Sequence, residues 1–192
     1  MIYPIAVYGH PVLRKIAKEI EPEHEGLSDI IKNMWETMYE SDGIGLAAPQ
    51  VNKSIRLIVI DASPLADDFP ELKDFKKVII NPEIINFNEE NALIDEGCLS
   101  LPTIREEVKR PTQITIKYFD TDFNPVEETY HDFAARVVQH EYDHLEGKLF
   151  VDHLSPLKKR LLKGKLNKIS KGDVDVEYRI LTAPTINKGK RR

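Results

Sequence analysis

The segment QHEYDHLEG, residues 139 to 147, constrains the fold of this chain more than any other part of the sequence. His140 and His144 stand four residues apart, and in an α-helix that spacing places both imidazoles on one face, one turn apart. Two neutral imidazoles at that separation can share one metal ion, while Glu141 can reach a water on that metal without being a ligand. The segment therefore predicts a helix that carries two ligands of a metal site.

A catalytic metal site needs a third protein ligand and one open position. In metzincin proteases that ligand is a histidine, but here Phe150 occupies its place in the pattern. A downstream glutamate is another common choice, and the only one after Glu146 is Glu177, in a predicted strand or tail. A lone cysteine is usually a small buried hydrophobe. Cys98 is nevertheless the better candidate, because a thiolate with two imidazoles suits zinc, iron or nickel.

The chain has one cysteine, so it cannot form an intrachain disulfide, and this favours a reducing cytosol. The longest apolar runs, such as Leu57 to Ile60, are far too short to cross a bilayer. The N-terminal segment MIYPIAVYGHP lacks the basic and apolar regions of a secretion signal. We therefore expect a cytoplasmic protein with no membrane partner.

Charge is divided unevenly along the chain. From Pro156 onward there are twelve Lys and Arg against three acids, a net charge of +9, whereas residues 1 to 155 carry 15 basic and 29 acidic side chains, a net charge of −14. This division predicts that the C-terminal segment meets an anionic partner and that the acidic body does not. A DNA partner is not expected. A solvated helix face is the simpler interpretation of the same charges.

Periodicity predicts a helix from Leu27 to Met38, a long helix from Asp132 to Glu146 that Gly147 caps, and a last helix over residues 156–169. The sequence also predicts a short helix from Pro11 to Ile20. On the last helix, four leucines are expected to cover the core: Leu157, Leu161, Leu162 and Leu166.

Strands are predicted at 55–61, 78–80, 84–87, 92–94, 113–119 and 126–130, with 43–50 as a close-packed loop or edge segment and 62–77 as a surface excursion. Because the strands cluster in the middle of the chain, we predict an α+β fold with mainly antiparallel strands around a central metal-binding HExxH helix, and a C-terminal helix. Residues 1–170 are predicted to form a single catalytic domain, and residues 171–192 a C-terminal extension or tail.

Three segments together resemble the signature motifs of the bacterial peptide deformylase family. They are GIGLAAPQ at 43–50, EGCLS at 96–100 and QHEYDH at 139–144, and they occur in the order and spacing of that family. The resemblance extends over roughly residues 5 to 165 and includes GHPVLR at 9–14. It implies a hydrolase that removes the formyl group from the N-terminal formylmethionine of nascent polypeptides.

The resemblance also implies roles for individual residues. Cys98, His140 and His144 would hold one divalent ion, with iron expected in the cell and zinc, nickel or cobalt as alternatives. Glu141 would transfer protons, and donors for the developing oxyanion would come from the Gln50 side chain and the Leu99 backbone N–H.

The resemblance assigns further residues to the substrate path and to the surroundings of the metal. The backbone of Gly45 would bind the peptide, Arg105 would lie near the substrate path, and Glu96 with Arg110 would form an ion pair that steadies the cysteine segment. Arg136 stands where an apolar pocket residue is expected, which leaves the pocket near that helix undefined. The resemblance also implies a weak contact of the C-terminal helix with the ribosome, because that helix is associated with ribosome docking in the family.

Two other interpretations fit parts of the sequence. A zinc metallopeptidase of the HExxH type would use His140, Glu141 and His144 to cut internal peptide bonds. A ribosome- or RNA-binding module with a structural metal would account for the basic C-terminal segment.

Overall fold

The computed structural model describes residues 1–184. The α-helices are α1 (Leu27–Glu40), α2 (Asp132–Leu145) and α3 (Pro156–Ser170). The strands are β1 (Ile5–Ala6), β2 (Gly45–Ala47), β3 (Leu57–Asp61), β4 (Lys76–Phe87), β5 (Asn91–Gly97), β6 (Arg105–Pro111), β7 (Gln113–Phe119), β8 (Pro125–His131) and β9 (Ile180–Leu181).

The central sheet has five strands in the order β2-β3-β4-β7-β8, and every neighbouring pair is antiparallel. Strands β5 and β6 form a separate antiparallel hairpin, and β1 pairs in parallel with β9. Helix α2 contacts β2, β3 and β8. These findings confirm the predicted α+β fold, with antiparallel strands around the HExxH helix and a helix near the C-terminus.

Helix α2 packs closely on the sheet because its sheet-facing side is built from small and branched residues. Ala135 and Val138 are fully buried in one cluster with Ile58, Ile79 and Ile116 from the strands beneath. Burying each large aliphatic side chain contributes about 1.5–3 kcal/mol. This burial fixes the position of the helix on the sheet, and with it the position of the two histidines on the opposite side of the helix.

The C-terminal end of α2 depends on Gly147. Its φ of +67° lies in the left-handed region, and a Cβ there would come within 2.9 Å of the carbonyl carbon of Arg14. Any other residue would therefore be strained and would push away the turn Pro11–Arg14. The predicted helical cap is confirmed.

Two local predictions around the first strands are wrong. Helical structure after Pro11 is a single 3₁₀ turn that ends at Arg14, because Lys18 pairs with Ile55 in an isolated bridge instead. The strands predicted at 78–80 and 84–87 are one strand, β4, whose pairing is irregular between Ile80 and Glu83. The irregularity contains Pro82, which has no N–H to donate.

Three further differences concern burial and exposed strands. Strand β6 was not predicted, because it is rich in charged residues and Val108 is its only buried apolar side chain. The 62–77 segment does not lie wholly on the surface, since Leu72 is fully buried. Leu157 and Leu161 do not cover the core, because they are 66% and 73% exposed. Leu162, Leu166 and Ile169 form the buried side of α3.

Residues after α3 return to the body of the protein. Ile180 and Leu181 pair with Ile5 and Ala6 as strand β9. The predicted division of the chain at residue 170 stays a prediction. The last four basic residues of the +9 segment, Lys188, Lys190, Arg191 and Arg192, lie outside the described residues. Within residues 1–184, no helix is long and apolar enough to span a membrane.

Candidate active site

Helix α2 and the turn after β5 bring the three predicted metal ligands together. The ring centroids of His140 and His144 lie 5.2 Å apart, and Cys98 Sγ lies 3.3 Å from His144 Nε2. One ligand atom from each of the three residues lies within 4.8 Å of the others. The two histidines of the helical motif and the cysteine of the EGCLS segment therefore converge on one site.

The thiol lies beside the predicted oxyanion donor, Gln50. Gln50 Nε2 is 3.6 Å from Cys98 Sγ and 3.4 Å from Ser100 Oγ. Its Oε1 accepts a hydrogen bond of 2.8 Å from the backbone N–H of Ala47. Because the carbonyl end of this buried amide is occupied, its NH₂ end points toward the thiol and the centre of the site.

The thiol and the imidazoles shift each other's pKa values. Burial alone would raise the pKa of Cys98, but the nearby imidazoles of His144 and His140 outweigh it and lower that pKa to about 5. Burial would lower the pKa of His140, but contacts with Cys98 and Glu96 raise it well above its usual value. Both shifts have one cause, the close approach of the thiol to two imidazoles, which favours the thiolate form of Cys98.

These residues fit a divalent metal ion. A thiolate and two imidazoles form a donor set that suits first-row metals. The His140 Nδ1 atom is hydrogen-bonded to Glu96 Oε2 at 2.8 Å, which leaves its other ring nitrogen for a ligand. Glu141 Oε2 is buried and has no hydrogen-bond partner among the described residues. A polar group at the centre of the site would satisfy it.

Glu141 reaches the site because Gly45 has no side chain. A Cβ at residue 45 would lie 2.5 Å from Glu141 Oε1 and 2.9 Å from its carboxyl carbon. Burial raises the pKa of Glu141, although the two histidines oppose that shift. The edge strand β2 and the HExxH helix are therefore in direct contact at the residue predicted to transfer protons.

Buried charges connect the hairpin to α2. Arg110 forms two hydrogen bonds with Glu96, of 2.7 and 3.0 Å, and a third of 2.7 Å with Asp143. Burial opposes the charged form of Glu96, but His140 and Arg110 hold the pKa of this carboxyl well below its usual range. The ion pair expected from the sequence is present, and it also orients the His140 ring.

Arg136 belongs to the same network. Its guanidinium donates to Glu96 Oε1 and to the backbone carbonyls of Val108 and Ala92, each at 2.8 Å. It thus joins both strands of the hairpin to α2 and turns its charge toward Glu96. This is the structural consequence of a charged residue at a position where an apolar one was expected.

A pocket of about 680 Å³ opens beside the ligands. Gly45, Leu99 and Arg105 line it, together with Phe133 and Val137 from α2. Arg105 pairs with Asp95 at 2.7 Å on an exposed part of the rim. Most predicted site residues therefore surround one cavity.

Val176 and Tyr178 are among the pocket residues that sequence reasoning missed. Both follow α3, in the segment predicted to be a tail. Burial first, and then Cys98, raise the pKa of Tyr178 to about 12. Its hydroxyl donates a 2.8 Å hydrogen bond to the Leu99 carbonyl. The alternating Val174, Val176 and Tyr178 are the only sequence signal that indicated an extended, half-buried segment here.

The position of the third ligand in metzincins is closed to that role. Phe150 is buried, and its ring stacks near His140 with centroids 6.1 Å apart.

A cysteine and two histidines beside a buried carboxylate, in a pocket large enough for a peptide end, define a metal-dependent hydrolase. The α+β fold places this set on a helix and a turn rather than on two helices.

Comparison with known proteins identifies the family within that class. Residues 2–160 match the family described as polypeptide deformylase. The chain belongs to the polypeptide deformylase family. Members of this family are metal-dependent enzymes that act on the formylated N-terminus of nascent polypeptides, and neither the metallopeptidase nor the RNA-binding alternative is favoured.

Individual relatives are similar over nearly the whole chain. The peptide deformylase of Christiangramia forsetii is 51% identical, over 94% of this chain and 95% of its own length. That of Cytophaga hutchinsonii is 50% identical, over 94% and 97%. The crystal structure of peptide deformylase from Thermotoga maritima superposes with a TM-score of 0.73 at 44% identity, covering 81% of this chain and 99% of that one.

Proposed function

We propose that Cys98, His140 and His144 hold one divalent ion, and that the pocket beside them hydrolyses the formyl amide of N-terminal formylmethionine. The observation that carries this proposal is the convergence of three ligand atoms within 4.8 Å of one another. A bound ion of this kind polarises a carbonyl oxygen and lowers the pKa of water toward neutrality. Side chains and backbone groups of the chain would carry out proton transfer and stabilise the oxyanion.

Glu141 is the proposed proton carrier. It is buried, its Oε2 is unpaired among the described residues, and it is held against the backbone at Gly45. A carboxylate in that position takes a proton from the attacking water and later gives it to the departing amine. Burial disfavours the charged carboxylate, which makes proton transfer to it easier.

Gln50 and Leu99 are the proposed donors to the developing oxyanion. The NH₂ group of Gln50 faces Cys98, and Leu99 follows Cys98 directly in the turn that lines the pocket. Donors fixed in advance at such a position stabilise the tetrahedral oxyanion without reorganising during the reaction. The backbone N–H of Ala47 donates to Gln50 Oε1 and so fixes the orientation of this amide, which supports this role.

Substrate binding is assigned to Gly45, Arg105 and the apolar wall of α2. Gly45 lies on the edge strand of the sheet, whose backbone is available for pairing with an extended peptide. Phe133 and Val137 offer an apolar surface that suits a methionine side chain. Arg105, exposed on the rim, is placed to meet the more distant part of the peptide.

Iron is the proposed physiological metal. The thiolate and imidazole donors also accept zinc, nickel and cobalt, so the choice rests on the resemblance and not on ligand geometry. A thiolate beside ferrous iron is open to oxidation. Protein prepared without oxygen should therefore contain iron and lose activity in air, while nickel-loaded protein keeps its activity. Zinc alone in the anaerobic preparation would contradict the iron assignment.

Discrimination between formyl and acetyl groups tests the proposed activity. Formyl-Met-Ala-Ser and acetyl-Met-Ala-Ser are offered separately, and the release of free amine is measured. We expect rapid release from the formyl peptide only, because a formyl carbon carries only a hydrogen and is open to attack, whereas the methyl group of an acetyl amide hinders it. Cleavage between Met and Ala, or equal release from both peptides, would contradict the proposal.

A weak ribosome contact through α3 is proposed as well. Arg160, Lys163 and Lys165 are exposed, and so are Leu157 and Leu161 on the same helix. Lys158 and Lys159 are less suitable contacts, because Lys158 pairs with Glu106 and Lys159 donates to the carbonyl of Asp152. Basic side chains bind a surface that is rich in RNA phosphate because the contact releases counterions from the phosphates.

Charge reversal of Arg160, Lys163 and Lys165 to Glu tests this contact. Co-sedimentation with ribosomes at low salt should fall, while turnover of formyl-Met-Ala-Ser stays unchanged. The matched control reverses Lys32, Lys73 and Lys109, three exposed lysines on other elements. An equal loss in both triple variants would show a general effect of net charge and would contradict a contact through α3.

A further inference from the structure

The segment that follows α3 is fixed to the body beside the pocket. The backbone N–H of Ile5 donates to the carbonyl of Arg179 at 2.8 Å, and that of Val7 donates to Leu181 at 3.0 Å. These bonds belong to the parallel pairing of β1 with β9. They hold the residues just before β9 in one place, so that Val176 and Tyr178 line the cavity.

Tyr178 connects this segment to the turn that carries Cys98 and Leu99. Its hydroxyl donates to the Leu99 carbonyl at 2.8 Å, and its ring packs against the same hydrophobic cluster as the Leu99 side chain. A contact over 79 residues of sequence is thereby made directly at the proposed oxyanion donor.

The same turn is held from the N-terminal side. The backbone N–H of Tyr8 donates to the Ser100 carbonyl at 2.9 Å, and the N–H of Leu101 donates to the Cys98 carbonyl at 2.9 Å. Besides the side-chain contacts with Gln50, the backbone carbonyls of the turn accept one internal bond, one bond from the residues after β1 and one from Tyr178. Since β1 pairs with β9, the two external bonds belong to one unit.

We propose that residues 174–181 form a wall of the substrate site and that Tyr178 is a positioning residue, which fixes the Cys98–Ser100 turn through the Leu99 carbonyl. The inference rests on the proposed function, in which Leu99 donates to the oxyanion. Without the hydroxyl, the turn loses one of the two external bonds to its backbone carbonyls, and the direction of the Leu99 N–H is less well defined. Without the ring, the pocket loses part of its wall.

Three full-length variants separate these two effects. Tyr178→Phe removes the hydroxyl and keeps the ring, whereas Tyr178→Ala removes both. Tyr8→Phe is the matched control, because Tyr8 lies in the neighbouring segment and its hydroxyl has no hydrogen bond within residues 1–184. The kcat and KM for formyl-Met-Ala-Ser and formyl-Met-Phe-Phe, the metal content and the thermal midpoint are measured for each.

Tyr178→Phe should lower kcat about 5-fold, as expected for one hydrogen bond, with little change in KM or metal content. Tyr178→Ala should in addition shift the ratio of kcat/KM between the two peptides toward the bulkier one, by about 3-fold or more. Tyr8→Phe should resemble the unmodified protein in both respects.

Kinetics of Tyr178→Phe that match those of Tyr8→Phe would overturn the positioning role. If Tyr178→Ala leaves the ratio of kcat/KM between the two peptides unchanged, the proposal that this segment forms a wall of the substrate site is overturned. A failure of the proposed function is distinguishable from both, because the unmodified protein would then release no amine from either formyl peptide.

Discussion

Helix α2 and the turn after β5 both supply groups to the metal centre, but they are held in place by different means. On α2, the positions of His140, Glu141 and His144 follow from helical spacing and from burial of the opposite helix face. The turn places Cys98 and Leu99 through contacts with residues distant in sequence, among them Gln50 and Tyr178.

This difference separates variants of the two regions. A substitution on α2 that keeps the helix removes one chemical group and leaves the others in position. A substitution that touches the turn changes the direction of several groups together, because the turn has few bonds of its own. We therefore expect clean losses of one property on the helix and mixed losses around the turn.

The largest effect is expected for Glu141→Gln. This change keeps the shape of the side chain and removes the group that transfers the proton, so the rate should fall on the order of 10³-fold. Metal content should stay near that of the unmodified protein, because Glu141 is not a proposed ligand. Loss of the metal in this variant would contradict the clean separation of roles on α2.

Gln50 tests the turn side of the comparison. Gln50→Ala should lower kcat by about 10²–10³ with a smaller change in KM, because an oxyanion donor acts mainly in the transition state. Gln50→Glu is the sharper control, since it keeps the acceptor for the Ala47 N–H but lacks the donor that faces Cys98. An effect confined to KM would make Gln50 a binding residue.

A smaller effect is expected where the two regions are joined. Glu96 accepts hydrogen bonds from Arg110 and Arg136 and contacts the His140 ring. Glu96→Gln should weaken metal binding by about 10–100-fold, as is usual when the partner of a ligating histidine is changed. Asp95→Asn, at the exposed neighbouring position, is the control. Equal metal affinity in both variants would show that Glu96 has only a structural role.

The same comparison explains what the sequence predicted. Helix α2 was predicted correctly because its signal is local, and the left-handed backbone of Gly147 and the burial of Ala135 are consistent with it. Strand β6 could not be predicted in the same way, since its residues alternate between exposed charges and the buried Arg110, which reads as a solvent-exposed segment. Only the pairing with β5 makes it a strand.

The partners of Arg136 and Tyr178 could not be predicted for a related reason. Arg136 is 4% exposed, which is acceptable for a charge only where Glu96 and two backbone carbonyls converge on it. Tyr178 contacts Leu99 only because β9 pairs with β1. A pairing of two-residue strands across almost the whole chain leaves no periodic pattern in the sequence.

The smallest effect is expected on the exposed rim. Arg105→Ala should raise KM for formyl tripeptides by at most about 5-fold, because the side chain is solvated and its pairing with Asp95 is screened. The effect should diminish as salt is added. A change in kcat of the size expected for Gln50 would show that Arg105 acts on the turn, through its close approach to Gly97.

Metal content of single variants tests the central claim, that one helix and one distant turn together hold the ion. The full-length protein, Cys98→Ala and Glu141→Gln are prepared without oxygen, and metal per chain is measured by elemental analysis. We predict about one ion per chain in the unmodified protein and in Glu141→Gln, and loss of most of the metal in Cys98→Ala. Full occupancy in Cys98→Ala would contradict the claim.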